Sequence, residues 1–346
     1  MALDITRLQP GELIRETYSI VRYLGSGAFG DVYLARHRYM GLQALKVFPR
    51  EDGTDALEEA YLLGKLSHPN IVRMFEANEF EHSDSRLGYF SMEYVEGGTL
   101  LELFELELEL QTRLRLAQDI LEGLAFAHSQ TPPVIHRDIS PSNILVEQTS
   151  FTCRAKISDF GLAKHVDAES LVASAAGKYV YMAPESFLGT HSTSSDVYSA
   201  AIVLFELFTG CHPFRLALSP SATSAEIAAV VRESRGQSIP KVSETCDDFS
   251  IDWDRFFEHA LCHDYRERPA NAHDLLQAFQ HQISRSNSNS RPADSAQMVS
   301  EARRLAEQAD TLGEAIELLE QACSFDPRVR HKYADMLSLW KRGIVL

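Results

Sequence analysis

The sequence predicts an α+β protein with an antiparallel, β-rich N-terminal part, a mainly helical second part and a short C-terminal α-helical segment. Residues 18–48 alternate apolar and polar positions around a cluster of glycines, which is typical of consecutive antiparallel strands. From about 99 to 281, apolar residues recur at helical spacing. Residues 283–294 are rich in Ser, Asn, Arg and Pro and have no apolar period. They indicate a flexible linker or an exposed connection before a last helical segment.

Composition narrows the classes of function. The 346 residues, 45% of them hydrophobic, suffice for about two or three compact units. A net charge of −16 argues against a nucleic-acid partner, because phosphate backbones are bound by clustered positive charge. No stretch approaches the roughly 18 apolar residues that cross a bilayer. The five scattered cysteines suit free thiols in a reducing compartment. We therefore expect a cytoplasmic protein without membrane or nucleic-acid contacts.

A glycine cluster lies in the β-rich part. Gly25, Gly27 and Gly30 fall between two strand-like runs, and glycines there allow backbone N–H groups to approach phosphates without a Cβ in the way. Dinucleotide-binding folds use the same spacing between a strand and a helix, whereas here the residues after Gly30 continue as a strand. The pattern favours a phosphate-covering hairpin.

Lys46 lies in an apolar strand, where an unpaired ammonium group would be costly, so we expect an anionic partner. The following helix can supply one. Asp55 can cap this helix together with Glu58, which places Glu59 on the apolar face. Glu59 is then either the partner of Lys46 or a rim residue whose carboxylate stays in water.

Alternating Glu and Leu at 102–110 suggest a strand by period alone. Their position before a long helical pattern makes a helix with its connection the better prediction.

Two polar segments follow apolar, strand-like runs in the second part. "VIHRDISPSNILV", residues 134–146, mounts Asp138 and Asn143 between two such runs. "KISDFGLA" repeats the arrangement with Asp159 directly after a strand. Carboxylate and amide oxygens are the ligands that Mg²⁺ prefers, so these positions are candidates for a cation site.

Together these motifs resemble the ordered signature of eukaryotic-type (Hanks-type) serine/threonine protein kinases, particularly their bacterial branch. The set comprises Gly25, Gly27, Gly30, Lys46, Glu59, His136-Arg137-Asp138, Asn143, Asp159-Phe160-Gly161 and Ala183-Pro184-Glu185. The resemblance implies the two-lobed protein kinase fold over residues 18–281.

The implied domains have the following bounds: an N-lobe of about 18–92, a C-lobe of about 97–281, a linker of 282–297 and a helical tail of 298–346.

The resemblance also implies roles and cofactors, namely ATP and Mg²⁺. Lys46 would hold the α and β phosphates and Glu59 would fix Lys46. Asn143 and Asp159 would bind Mg²⁺, and Asp138 would orient the attacking hydroxyl of a protein substrate and accept its proton.

Further residues would contact ATP, and several of them would surround its base. Met92 would guard the back of the adenine pocket, unless it is only core filler, and Glu93 and Val95 would offer backbone groups to the base. The remaining implied contacts are Leu24, Gly25, Gly27, Gly30, Val32 and Ala44.

Two departures from the family pattern bear on the active site. Ser140 replaces a lysine that touches the transferred phosphate, and Lys178 replaces a threonine that bonds the catalytic aspartate. We hypothesise that the Lys178 ammonium restores the charge lost at Ser140. The alternative is that Lys178 is a solvated loop residue.

Regulation and anchoring also follow from the resemblance. Arg137 belongs to the kinase type whose activation loop is ordered by a phosphate, and Ser170 and Ser174 are candidates to carry it, with Ser174 first. Asp196 would be the anchoring aspartate of the helix that follows. Arg268 would pair with Glu185 as a structural device.

The tail has Ala315, Leu319, Ala322 and Pro327 at intervals that match the second helix of a tetratricopeptide-like unit, although any helical hairpin can show them. A lone unit cannot bury both faces. We expect residues 298–346 to dock on the kinase lobe, to self-associate or to bind a protein partner.

Two functions are compatible with the sequence. The first is an ATP-dependent protein kinase that phosphorylates Ser/Thr hydroxyls of proteins and, through its activation loop, itself. The second is a nucleotide-binding pseudokinase that acts as a scaffold through its tail. A small-molecule kinase fits less well, because the Ala183-Pro184-Glu185 motif and Arg268 belong to protein kinases.

Overall fold

A computed structural model describes most of the chain: residues 7–27, 30–49, 64, 66–83, 85–148, 153–160, 179–214, 216, 224–246, 249–306, 311–325 and 327–341. The chain divides into two compact units, residues 1–278 and 279–346.

The first part of unit one is an antiparallel sheet of six strands in the order β1-β2-β3-β4-β6-β5. The strands are β1 Leu13–Ile14, β2 Tyr18–Gly27, β3 Gly30–His37, β4 Gly41–Pro49, β5 Met74–His82 and β6 Ser85–Glu93. Both faces of β4 and β6 are covered at their centres, where five consecutive residues of each strand are buried. The inner faces form a core that includes Tyr18, Tyr33 and Tyr89.

Register across this sheet fixes where Lys46 lies. Lys46 on β4 pairs with Val32 on β3 and with Phe90 on β6. Because side chains alternate along a strand, a shift of one residue would move Lys46 to the other face.

The hairpin between β2 and β3 requires a glycine at the first residue of β3, which is Gly30. Gly30 has φ +133°, and a Cβ there would collide with the carbonyl oxygen of Val47. Both the conformation and the close approach exclude other residues at this position.

The second part of unit one is mainly helical and carries a small sheet with the order β7-β8-β9. The strands are β7 Gly97–Thr99, β8 Ile144–Gln148 and β9 Cys153–Ile157, and the helices are α1 Leu100–Leu103, α2 Leu110–His128, α3 Thr193–Thr209, α4 Ser224–Ser234, α5 Val242–Thr245 and α6 Ile251–Ala260. Short 3₁₀ helices cover Pro141–Asn143, Pro184–Leu188 and Tyr265–Glu267.

Residues 102–110 form the end of α1 and the connection to α2, as predicted. A strand expected at 134–136 is absent from the described secondary structure, so that prediction was wrong. The backbone N–H of His136 instead donates to a buried carboxylate, which leaves this run outside any sheet.

Helix α3 is buried along nearly its whole length, including the polar residues Ser194, Ser195 and Asp196 of its first turn. Ser192 caps its first turn, and Gly210 ends it in the left-handed conformation at φ 71°.

The chain continues as helix α7 Ala272–Leu305, followed by α8 Leu312–Phe325 and α9 Pro327–Lys341. Residues 282–297, where composition favoured a flexible linker or an exposed connection, are therefore helical. The polar composition of this stretch does not prevent a helix. Once a helix is nucleated, each further residue adds one backbone hydrogen bond, so the helix can continue through a segment that has no apolar face.

Unit two has its own core. Ala315, Leu319 and Ala322 of α8 are buried against Ala302 of α7 and Trp340 of α9. These are the tail residues whose spacing predicted a helical packing unit.

The predicted fold class is confirmed: an antiparallel β-rich lobe precedes a helical lobe, and further helices form the C-terminal segment. Across the parts of the chain with a described structure, every helix is too short or too polar to span a bilayer.

Candidate active site

A cleft of about 800 Å³ lies between the six-stranded sheet and the loops of the helical lobe. This is within the range of small-ligand sites, roughly 300–1,000 Å³. Its walls contain the predicted ATP contacts Leu24, Gly25, Val32, Ala44, Lys46, Met92, Glu93 and Val95, as well as the predicted metal ligands Asn143 and Asp159. Gly27 and Gly30 pair with each other where β2 meets β3.

Lys46 is 2% exposed, and its Nζ lies 2.8 Å from Oδ2 of Asp159. A buried ammonium group requires such a partner. The structure thus brings together a cation on β4 and an anion that follows β9. Glu59, the partner predicted from the sequence, lies outside the described residues.

Asp138 and Asn143 are joined directly. The Asn143 side chain donates from Nδ2 to the Asp138 carbonyl oxygen at 2.7 Å and to its Oδ2 at 2.8 Å. Because both amide hydrogens are used in this way, the amide oxygen is the atom that Asn143 can offer to a cation. The same bonds fix the orientation of the Asp138 carboxylate.

Asp196, on the first turn of α3, holds the backbone that precedes Asp138. Its carboxylate is 1% exposed and accepts the backbone N–H groups of His136, at 2.6 Å, and Arg137, at 2.9 Å. Arg137 has φ 69°, a left-handed conformation that costs a non-glycine residue about 1–2 kcal/mol. The carboxylate offsets that cost and sets the direction of the loop.

His136 links the two site-bearing loops. Its Nδ1 accepts the backbone N–H of Asp138 at 3.2 Å, so Nε2 carries the proton that is donated to the carbonyl of Ser158 at 2.8 Å. Its ring packs 4.6 Å from that of Phe160. Asp159, between Ser158 and Phe160, has φ 60°. The loop that carries Asp138 and the loop that carries Asp159 therefore each contain a strained residue, Arg137 in the first and Asp159 itself in the second.

Sequence reasoning missed His128. Its Nε2 lies 3.0 Å from Oδ2 of Asp196, and its Nδ1 accepts the backbone N–H of Ala272 at 3.1 Å. The sequence did contain a signal for this residue. His128 follows Leu124 by one helical turn and so lies on the apolar face of α2, where a buried polar group needs hydrogen-bond partners.

Ser140, which replaces the expected lysine, is buried, and its hydroxyl bonds that of Ser142 at 3.0 Å. Both groups are neutral, so this position supplies no positive charge to the cleft. Lys178, the predicted substitute, lies outside the described residues, as do Ser170 and Ser174.

The predicted pair between Glu185 and Arg268 is present. Nη1 and Nη2 of Arg268 donate to the two carboxylate oxygens at 2.9 and 3.0 Å, and Ser195 donates to the same carboxylate at 2.8 Å. The guanidinium also lies 4.4 Å from the centre of the Tyr198 ring. This fully bonded pair fixes the end of the segment that precedes α3.

The donor set suits a hard divalent cation. An amide oxygen from Asn143 and the carboxylate of Asp159 face one cleft, and oxygen ligands of this kind are those that Mg²⁺ prefers. A bound cation would supply positive charge to phosphate oxygens at this point.

Comparison with known proteins agrees with this architecture. The model of the protein kinase domain matches residues 18–284. The probable serine/threonine-protein kinase PknB of Lactococcus lactis is 33% identical over 220 residues, which cover 60% of this chain and 34% of the relative. Serine/threonine-protein kinase PknB of Mycobacterium leprae is 30% identical over 275 residues, 76% of this chain and 42% of the relative. Serine/threonine-protein kinase PrkC of Bacillus subtilis is 33% identical over 216 residues, 59% of this chain and 32% of the relative.

The chain belongs to the protein kinase family, and its matches include bacterial serine/threonine kinases. It spans about a third to two fifths of the length of these relatives.

Proposed function

We propose that this protein is an ATP-dependent serine/threonine protein kinase that uses Mg²⁺. The observation that carries the proposal is that Lys46, Asn143 and Asp159 line one cleft, while Asp138 is hydrogen-bonded to Asn143 beside it. Phosphoryl transfer requires positioning and charge stabilisation more than covalent chemistry, and these four side chains provide both.

In the proposed reaction, Lys46 binds the α and β phosphates while the apolar wall of Val32, Ala44 and Met92 encloses the adenine ring. The acceptor hydroxyl lies beside Asp138. As its oxygen forms a bond to the γ-phosphorus, the bond from that phosphorus to the β–γ bridging oxygen breaks, and the hydroxyl proton passes to the Asp138 carboxylate. ADP leaves with the electron pair of the broken bond. Asn143 keeps the carboxylate aimed at the acceptor through the 2.8 Å bond.

The test is incubation with γ-labelled ATP, Mg²⁺ and a protein acceptor, comparing wild type with Asp138→Asn. Loss of a general base lowers rates by roughly 10²–10⁴-fold. We expect label transfer in the wild type and a loss of this size in the variant, with ATP binding retained by both. Equal labelling by the two proteins would contradict the assignment of Asp138.

A second candidate is a pseudokinase scaffold, which the neutral pair of Ser140 and Ser142 favours. ATP binding by the wild type with no label transfer would support it. Its scaffold role would rest on the tail, which we propose is a tetratricopeptide-like unit at 298–346 that binds a protein partner or docks on the kinase domain of 18–281.

We further propose autophosphorylation in the activation loop, with Ser174 as the first site and Ser170 as the second. Arg137 would pair with the phosphate, because a guanidinium binds phosphate oxygens in a bidentate manner. Mass spectrometry after incubation with ATP tests this proposal. Phosphate on both serines in the wild type and on neither in Asp138→Asn is the expected result.

A further inference from the structure

Residues 179–182 lie directly before the Ala183-Pro184-Glu185 motif, and two of them face the active-site cleft. Val180 and Tyr181 line it together with Ser142 and Asn143 of the catalytic loop. An acceptor protein whose hydroxyl reaches Asp138 therefore has this short segment beside it. The conformation of residues 180–182 bears on which acceptors fit.

Arg235, which follows helix α4, is bonded to the backbone of this segment. Its Nη2 donates to the carbonyl of Val180 and, at 3.3 Å, to that of Met182. The guanidinium lies 4.3 Å from the centre of the Phe214 ring and 5.4 Å from that of Tyr198. Arg235 is 4% exposed, so the group is enclosed by these contacts.

Two further groups bind the same segment. His212 donates from Nε2 to the Val180 carbonyl at 2.9 Å, while its Nδ1 accepts the backbone N–H of Phe214 at 3.2 Å. The Tyr181 hydroxyl donates to Glu206 at 2.7 Å. The Val180 carbonyl thus accepts from two side chains, and the segment is fixed by contacts from three.

The bonding of Arg235 is unusual for a buried cation. Within the described residues it has no carboxylate within ion-pair distance, and its Nε and Nη1 are buried without a hydrogen-bond partner. Burial lowers the pKa of Arg235 to about 10, which still leaves it charged at neutral pH. Two carbonyl oxygens and two aromatic faces stabilise the charge instead. Burying a guanidinium in this way costs more free energy than leaving it in an ion pair at the surface. The contact that Arg235 gains in return is the one with the backbone of residues 180–182.

We propose that Arg235 is a positioning residue that sets the backbone of residues 180–182 and thereby selects the residues flanking the phosphorylated Ser or Thr in an acceptor protein. The proposal rests on the proposed kinase function. Arg235 lies outside the ATP contacts and does not touch the reacting atoms, so it should affect acceptor binding and leave ATP binding unchanged.

The experiment is phosphorylation of a positional peptide library with a central Ser or Thr and one flanking position fixed at a time, using γ-labelled ATP. Wild type is compared with Arg235→Ala, Arg235→Lys and Arg232→Ala. Arg232 is the matched control, because it is an exposed arginine in the last turn of helix α4, three residues before Arg235.

For Arg235→Ala we expect a flatter preference at positions flanking the acceptor and a KM for the best peptide raised about tenfold, since hydrogen bonds from charged groups contribute at this level. The KM for ATP should be unchanged. Arg235→Lys should lie between wild type and Arg235→Ala, because lysine keeps the charge and lacks the planar fork that reaches two carbonyls. Arg232→Ala should match wild type.

If Arg235→Ala does not fold, Arg235→Lys and His212→Asn carry the test, because each alters a donor to the Val180 carbonyl. Both should then change the preference at the same library positions. Unchanged library profiles in these variants would overturn the inference while the kinase function stands, as would a parallel loss of kcat and of affinity for both ATP and peptide. Absence of any label transfer by the wild type would instead remove the proposed function, and the inference with it.

Discussion

The two walls of the active-site cleft are built in different ways. On one wall, Lys46 is placed by strand β4, whose backbone pairs with neighbours on both sides. On the other wall, Asp138 and Asn143 lie on a loop whose backbone is held by side chains, above all by Asp196, nearly 60 residues further along the chain.

This difference predicts where substitutions are most harmful. A strand position is supported by many backbone bonds, and no one side chain provides them. The loop depends on single buried side chains whose loss leaves several donors unsatisfied. The loop wall should therefore be the more fragile of the two.

The largest effect is expected for Asp196→Asn. The side-chain amide cannot accept all of the bonds made by His136, Arg137 and His128, so buried donors lose their partner and Arg137 loses the support for its left-handed backbone. Breaking a buried charged interaction costs about 3–5 kcal/mol. We expect a decrease of this size in the free energy of unfolding in urea, together with a lower kcat.

The matched control is Ser91→Ala on the strand wall, which removes a buried donor to the Gln43 side chain. We expect a decrease of about 1–3 kcal/mol in the free energy of unfolding and no change in kcat. If Ser91→Ala lowers kcat as much as Asp196→Asn does, the contrast between the walls is wrong.

The same contrast explains how far the sequence could predict the structure. The strands of this wall were predictable, and Lys46 was expected to be buried beside an anionic group, whereas the face that carries Lys46 is set by its register with β3 and β6. The loop wall was recognised only through a family motif, since no local pattern relates His136 to Asp196 or His128 to Ala272. The helix through 282–297 was missed for the opposite reason, because local composition was weighted above the continuity of helical hydrogen bonding.

The next effect concerns the charge missing at Ser140. If Lys178 supplies that charge, Lys178→Ala should lower kcat by roughly 10²–10³-fold, as removal of one preorganised charge-stabilising group does. The KM for ATP and the free energy of unfolding should change little. Steady-state kinetics of label transfer provides the measurement.

Ser140→Lys in the Lys178→Ala background is the informative second variant. Restoring a lysine at the family position should recover part of the lost kcat. Turnover of Lys178→Ala equal to that of the wild type would show that Lys178 is a solvated loop residue, and the loop wall would then work without this cation.

The smallest expected effect is a pH dependence of the free energy of unfolding that comes from His212, which binds the carbonyl of Val180. Burial lowers the pKa of His212 from its ordinary value of about 6.5. As pH falls below that value, the unfolded chain binds a proton that the folded state excludes, so the free energy of unfolding falls by at most about 1.4 kcal/mol per pH unit. Above pH 6.5 this histidine is neutral in both states and contributes no pH dependence. Asn does not titrate in this range, so His212→Asn should lose less stability than the wild type between pH 7.5 and 5.5. His68 and His191 have pKa values lowered by the same cause, and comparing the two proteins at each pH removes their contribution. Parallel urea-unfolding curves for variant and wild type across this range would show that protonation of His212 is not what loosens the segment at Val180.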